Sequence, residues 1–258
     1  MKIVVLVKEV PDTYGERKLN LETGLAERGA SEAVIDEIGE RALEAALSHA
    51  DTSEGIQVSL LCVGPETATT NLRKSLAMGA ESATHVVDEG LVGADMGLTA
   101  EVIAAALREE GADLVIAGNQ STDGVGGMLP SMVAELLEWP VLTNLSELSI
   151  SADAVSGRCA GDDAVMQVST SLPAVISVTE QLPDARFPNF KGIMAAKKKP
   201  IEVKSLADLG IDADDMSASR SIMLSVVERP PRAAGIQVTD DGSAVQQLMT
   251  VLSERRLI

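Results

Sequence analysis

The apolar residues in the first two-thirds of the chain alternate between two periodicities. Residues 3–7 (IVVLV), 56–63 (IQVSLLCV) and 113–117 (DLVIA) are apolar almost without interruption, the pattern of strands covered on both faces. Residues 84–87 predict a further short strand. Between these runs the period changes. Residues 36–50 open with acidic side chains and carry Ile38, Ala42, Ala45 and Ala46 at helical spacing. Residues 66–78 predict a helix closed by Gly79, and the Ala-rich residues 98–110 a third helix stopped by Gly111. Strand and helix alternating at this interval imply right-handed crossovers. The expected fold class is therefore α/β, a Rossmann-like doubly wound, mostly parallel sheet.

Beyond Pro140, residues 141–150, 164–169 and 174–179 predict strands with Gly/Asp turns between them, expected to extend the sheet with antiparallel edges. From about Arg186 the regularity fades into RFPNFKGIM, the cluster Lys197, Lys198, Lys199 and the turn-rich DLGIDADDMS. The pair Pro230-Pro231 and an amphipathic segment at 244–252 follow. Such a tail either packs back on the domain or wraps a partner.

Composition narrows the function. With 258 residues, 45% of them hydrophobic, a sizeable core is available. A net charge of −18 repels phosphate backbones and anionic lipids, which excludes nucleic-acid or membrane binding as the main task. Two cysteines and two histidines supply neither a disulfide framework nor a four-ligand zinc site. Cys62 sits in an apolar run and reads as a core residue. The opening MKIVVLVKEVPD reads as a buried strand rather than a signal peptide. No apolar stretch approaches the roughly 20 residues that span a bilayer, and a cytoplasmic location is expected. One Trp, one Tyr and two Phe leave no aromatic platform for bases. Both phenylalanines, Phe187 and Phe190, fall beside Ile193 and Met194 in one loop-like stretch, which marks an interaction surface or a segment buried in the core. The lysine triplet likewise reads as a solvated turn or as an electrostatic contact.

Ligands of an open parallel sheet bind beyond the carboxyl ends of its strands. Leaving the 113–117 run are Gly118, Asn119, Gln120, Ser121, Thr122, Asp123, Gly124, Val125, Gly126 and Gly127, followed by a helical run to Leu137. The glycines let the backbone turn tightly and approach a ligand closely. The small polar side chains offer donors and acceptors, and the following helix presents unpaired N–H groups to an anion. This pattern predicts a phosphate cradle. GxxxxGK[ST] and GxGxxG are both absent, which favours a nucleotide held statically by amides over turnover of a triphosphate. No HExxH, GxSxG or CxxC occurs. His49 and His85 read as structural, Trp139 as a packing anchor, and the acidic residues as solvated helix faces. No catalytic residue is assigned.

Several segments together resemble the β subunit of electron transfer flavoprotein. They are KIVVLVKEVPD, CVGPE, LRKSLAMGAESATHV, DLVIAGNQSTDG with ELLEWP, and SLPAVISVTEQLPDARFPNFKGIMAAKKKPIEV leading into DLGID. The last is the most specific, because no general physical rule demands that order. The resemblance implies a heterodimeric electron carrier rather than an enzyme. A redox-active FAD lies mainly on a larger α subunit, in a cleft that the β subunit completes, and AMP sits structurally in the β subunit. The resemblance further implies that electrons pass from flavin-dependent dehydrogenases, such as the acyl-CoA dehydrogenases of fatty acid oxidation, to a quinone-linked oxidoreductase. Carried over by position, the AMP contacts fall on Leu6, on Asp36, Glu37, Ile38 and Gly39, on Val63, and on residues 118–129, which add Met128 and Leu129 to the loop. Residues 1–185 are then the nucleotide-binding domain. Residues 186–200 carry the docking loop, with Phe187, Phe190, Ile193 and Met194 and with Phe190 as central anchor. Residues 201–258 form an arm embracing the α subunit.

The chain departs from the family at Asp36-Glu37-Ile38-Gly39, where relatives carry an Asn-Pro turn. It departs again at residues 124–129, where their loop is more polar, and at GRCAGDDAVMQV. These departures leave room for a second FAD in place of AMP, as in the bifurcating branch. A free-standing universal-stress-type module has no need of residues 187–199 or the tail, and an adenylating enzyme would need an SGGxDS loop that is missing.

Overall fold

The computed structural model describes residues 1–258 except Met216, Ser219, Ala233 and Ile236. Two compact units divide the chain at Leu224. The first is built on a nine-stranded sheet of β1 (Lys2–Leu6), β4 (Gln57–Val63), β5 (Ser82–Val86), β6 (Leu114–Gly118), β7 (Val141–Ile150), β8 (Ala154–Ala160), β9 (Val165–Ser171), β10 (Ala174–Val178) and β11 (Ile201–Lys204). Their order is β11-β5-β4-β1-β6-β10-β7-β8-β9. All neighbours from β11 to β7 run parallel, and β8 and β9 continue the edge antiparallel. A separate antiparallel hairpin pairs β2 (Glu9–Pro11) with β3 (Ala33–Ile35).

The apolar runs become the central strands because each faces a core on both sides. Ile3, Val5, Leu60, Ile116 and Ile176 point to α1 (Glu37–Thr52) and α2 (Thr69–Met78). Val4, Leu61, Val115 and Val175 point to α3 (Met96–Glu110) and α4 (Leu129–Leu137). The sheet is thus covered by a pair of helices on each face, as the doubly wound expectation requires. Helix starts follow from local chemistry: the Asp36 and Asp95 carboxylates accept from Ile38 N–H and Leu98 N–H. Gly111 ends α3 in the left-handed conformation (φ 68°), which glycine adopts without a Cβ penalty.

Three expectations need adjustment. The strand expected at 174–179 is not an edge: β10 lies between β6 and β7, parallel to both and wholly buried. Residues 190–196, expected as loop, form the short helix α5 (Phe190–Ala196), started by the Asn189 side chain accepting from Gly192 N–H. The chain just past the expected boundary at residue 200 joins the sheet as β11, and Leu206 is buried against the α3 face. In the second unit, α6 (Ala244–Glu254) buries no residue and leaves Val245, Leu248 and Met249 exposed. Among the described residues, no helix is long and apolar enough to cross a membrane.

Both cysteines are buried, and burial pushes the Cys62 thiol up to about 12. The thiolate is the reactive form. A disulfide reagent at pH 8 is therefore expected to modify neither cysteine in the native protein and both after denaturation, read by thionitrobenzoate absorbance. Rapid native labelling of Cys62 would contradict this packing.

Candidate functional site

Strands β4 and β5 are laid down on one side of β1, and β6 and β10 on the other. The carboxyl ends of β1 and β6 therefore flank the topological switch point, where a doubly wound sheet opens a crevice. Leu6, Val63 and Gly118 are the last residues of β1, β4 and β6. The structure brings all three to one rim, together with residues 36–39 at the start of α1.

Asp36 organises this rim. Its carboxylate is buried, with Oδ1 accepting from Ile38 N–H at 3.1 Å. Oδ2 accepts from both the amide and the hydroxyl of Thr122, at 2.7 and 2.8 Å. One side chain thus caps α1 and ties the 119–128 loop to it. Gly118 allows the close approach, because a Cβ there would lie 3.0 Å from Ile38 Cγ2.

The loop itself is shaped by charge and by backbone freedom. Lys8, two residues past β1, reaches across with Nζ 2.7 Å from Asp123 Oδ1 and 3.2 Å from Ser121 Oγ. Arg28 lies 3.6 Å from Asp123 Oδ2, and the Arg17 guanidinium donates to the Thr122 carbonyl. Burial pushes the Asp123 carboxyl up, but hydrogen bonds from Lys8, Ser121 and the Gly124 amide outweigh it and hold the group below its ordinary value. Gly127 turns through the left-handed region (φ 66°). Among the described residues the amides of Gly126, Gly127 and Met128 have no protein acceptor, and the buried Asn119 Oδ1 has no partner. Free amides ahead of a helix, three nearby cations and an orphaned amide oxygen are groups that fit an anionic, hydrogen-bonding ligand such as a nucleotide.

A second surface lies on the α1/α2 face. Phe187 and Phe190 are 95% and 79% exposed, and Ile193 and Met194 about half. This answers the choice between core and interaction surface in favour of exposure. The segment is fixed from behind. Arg186 donates to Glu44 through Nε and Nη2 at 2.7 and 2.9 Å and pairs with Asp51. Arg73 donates to the Ala196 carbonyl at 2.8 Å. Gly192 sits so close to the end of α2 that a Cβ would lie 2.4 Å from the Ala77 carbonyl oxygen. The lysine triplet divides in two: Lys197 and Lys198 are exposed, while Lys199 Nζ donates to the Leu76 and Gly79 carbonyls at 2.9 and 3.1 Å. Lys199 thereby serves the C-terminus of α2.

Burial raises the Glu44 carboxyl, but the hydrogen bonds from Arg186 and Ser48 prevail and hold it below the ordinary 4.5. A depressed folded value contributes stability that is present in full above the unfolded value and lost as pH falls through the folded one. Glu44→Gln is expected to cost on the order of 1 kcal/mol at pH 7, allowing for partial solvent screening. The difference from wild type is expected to shrink as unfolding is followed below pH 4.5. A pH-independent difference would remove the ionic contribution.

The fold defines an α/β domain of the Rossmann-like, doubly wound class. Residues 23–209 match the family model described as the electron transfer flavoprotein domain. The chain is 44% identical over 263 residues to the electron transfer flavoprotein subunit beta of Mycobacterium tuberculosis (strain H37Rv), covering 99% of each. It is 31% identical over 265 residues, with all of each chain covered, to the electron transfer flavoprotein subunit beta of Bacillus subtilis (strain 168). The same values hold for the caffeyl-CoA reductase-Etf complex subunit CarD of Acetobacterium woodii. The chain belongs to the electron transfer flavoprotein β-subunit family. Its role is electron transfer, as a carrier subunit, and the family is a flavoprotein family. The universal-stress-type alternative is set aside by this membership.

Sequence reasoning missed Lys8, Arg17 and Arg28. Lys8 carried a usable signal, since it lies two residues past the carboxyl end of the first strand. The two arginines carried none, because their approach depends on the β2–β3 excursion.

Proposed function

We propose that this chain is the β subunit of a heterodimer whose α subunit carries the FAD. In this reading the complex accepts electrons from flavin-dependent dehydrogenases, including acyl-CoA dehydrogenases of fatty acid oxidation. It delivers them to a quinone-linked oxidoreductase, and the chain works in the cytoplasm. FAD, when bound, supplies the redox chemistry, which depends on proximity and potential rather than on a protein base. This chain completes the FAD cleft and holds AMP at the rim of β1, β4 and β6. Leu6, Val63 and residues 36–39 border the nucleotide, and the amides of the 118–129 loop face its phosphate. Phe187, Phe190, Ile193 and Met194 meet the dehydrogenase, and the chain beyond β11 embraces the α subunit. The observation that carries the nucleotide site is the loop held by Asp36 and Lys8 with its amides left free.

Co-expression with the α subunit tests this. A yellow 1:1 complex releasing one FAD and one AMP on denaturation is expected. A complex without adenine nucleotide would remove the AMP site, and a colourless homodimer would remove the heterodimer. The CarD relative favours a second reading, in which the same rim takes a second FAD. Two FAD per complex is its signature.

A further inference from the structure

Residues 12–32, between β2 and β3, leave the body of the domain as a separate flap. Among the described residues none from 12 to 32 is buried, yet the flap has a shape of its own. Asn20 N–H donates to the Leu25 carbonyl at 2.8 Å, Gly24 N–H to the Asn20 carbonyl at 2.7 Å and Glu27 N–H to the Lys18 carbonyl at 2.9 Å. The Asn20 side chain accepts from Glu22 and Thr23 N–H, both at 2.9 Å. The neck is narrow: Asp12 N–H donates to the Glu32 carbonyl at 2.8 Å, and a Cβ on Gly15 would lie 2.3 Å from Ser31 Cβ. A body closed by its own hydrogen bonds and rooted by no buried side chain is suited to move as a unit about its neck.

The flap bears on two parts of the domain. On one side the Arg17 guanidinium donates to the Thr122 carbonyl, and Arg28 lies 3.6 Å from Asp123 Oδ2. On the other side its tip rests against the chain before α3 and the chain past β11. Leu25 Cδ2 is 3.1 Å from where a Cβ on Gly93 would stand. Met223 drapes over Gly24 (φ 71°), with Cγ, Cε and Sδ 2.7, 2.8 and 3.2 Å from the position of a Cβ there. Met223 is itself held by its neighbours. The Arg220 guanidinium donates to both Glu101 carboxylate oxygens at 2.7 Å, and Ser221 N–H donates to Asp95 Oδ2 at 2.5 Å. Asp95 also caps α3, and the adjoining Met96 packs on Gly126 of the loop, its Sδ 2.6 Å from where a Cβ would stand. A fixed strap thus bears on the tip of the flap, while the flap's arginines bear on the loop.

We propose that residues 12–32 form a lid over the nucleotide rim and that Met223 is the latch that holds it shut. This inference rests on the nucleotide-site reading above. Closed, the lid lays Arg17 and Arg28 on residues 122–123. Turning about the Gly15–Ser31 neck withdraws both cations and clears the way for exchange. The latch contact is made at the tip, away from the rim, so its loss opens the empty and the occupied site alike. Entry and exit then quicken together, and the lid sets how long the nucleotide stays rather than how tightly it binds.

The test uses the complex co-expressed with the α subunit and radiolabelled AMP. Entry, and release into excess unlabelled AMP, are timed separately. Met223→Ser is expected to quicken both about three- to tenfold and to leave Kd within about twofold. Gly24→Cys combined with Met223→Cys brings two sulfurs within disulfide reach. Oxidised with diamide, that variant is expected to release AMP at least about tenfold more slowly than after reduction with dithiothreitol. Slowing that a reductant reverses cannot come from misfolding, so the pair keeps the test sound if Met223→Ser is unstable. Three results overturn the lid and leave the nucleotide site standing: equal release in the oxidised and reduced forms, a disulfide that does not form, or a Met223→Ser protein with unchanged rates or a change in release alone. A complex that takes up no AMP overturns the nucleotide site, and the lid with it.

Discussion

Asp36→Ala is expected to unfold the rim and to cost the protein about 3 kcal/mol. The carboxylate serves three donors at once: Ile38 N–H, Thr122 N–H and the Thr122 hydroxyl. Loss of an N-cap alone costs about 1 kcal/mol. Leaving further part-buried donors without acceptors adds about 1–3 kcal/mol. In a chain of this length that corresponds to a fall in Tm of roughly 6–12 °C, read by calorimetry. Asp36→Asn keeps an oxygen for one set of donors but presents an NH₂ to the other, so an intermediate loss is expected. Nucleotide content after purification is expected to fall in the same order. An Asp36→Ala protein within 1 kcal/mol of wild type would show that Asp36 does not hold the loop.

Gly192→Ala is expected to dislodge α5 while sparing the sheet. The added carbon would collide with the Ala77 carbonyl oxygen, which belongs to the backbone of α2 and cannot rotate away. Overpacking of this kind costs about 1–3 kcal/mol. Here the cheapest relief is for the seven-residue helix to lift off. That movement strains the Arg73–Ala196 and Lys199–Leu76 hydrogen bonds together. Hydrogen exchange of amides 190–199 is expected to quicken by tenfold or more, with the amides of β1 and β6 unchanged. Electron uptake from an acyl-CoA dehydrogenase is expected to fall in parallel. Unchanged exchange across α5 would mean that the helix accommodates the methyl group without moving.

The parallel strands were legible because burial on both faces demands continuous apolar sequence. IVVLV and DLVIA carry apolar residues at consecutive positions, and IQVSLLCV does so from Leu60 onward. Other elements were hidden for definite reasons. β8 reads AVSGRCA, where Gly157 accommodates the Glu147 carbonyl at a distance no Cβ permits, and Arg158 pairs outward with Glu147. Arg158 keeps the alternation, but Gly157 puts no side chain at an inward position and interrupts the apolar set that would have marked a strand. β2 and β3 are three residues each and pair across an irregular excursion. In α5, Pro188 and Gly192 read as loop residues. The structure uses Asn189 to start a helix after that proline and the glycine to fit the helix against α2. At the rim, the glycines of the loop announced a close backbone approach. The Asp36–Thr122 and Lys8–Asp123 contacts join residues 86 and 115 positions apart, and only the closed sheet reveals them.

The mounting of α5 has a consequence for how the surface can change. Its anchors are Arg186, Gly192 and Ala196, which face α1 and α2, and Asn189, which caps the helix from the surface, while Phe187 and Phe190 carry little packing duty and Ile193 and Met194 only part of it. Exchanges at such outward positions typically move stability by no more than about 0.5 kcal/mol. The two sets interleave along eleven residues, yet they answer to different demands. Lineages can therefore rewrite the outward set freely, one residue at a time, without passing through an unstable ancestor. Drift in the anchoring set is blocked by the scaffold, so relatives that differ in what they meet should keep the same hinge points beneath.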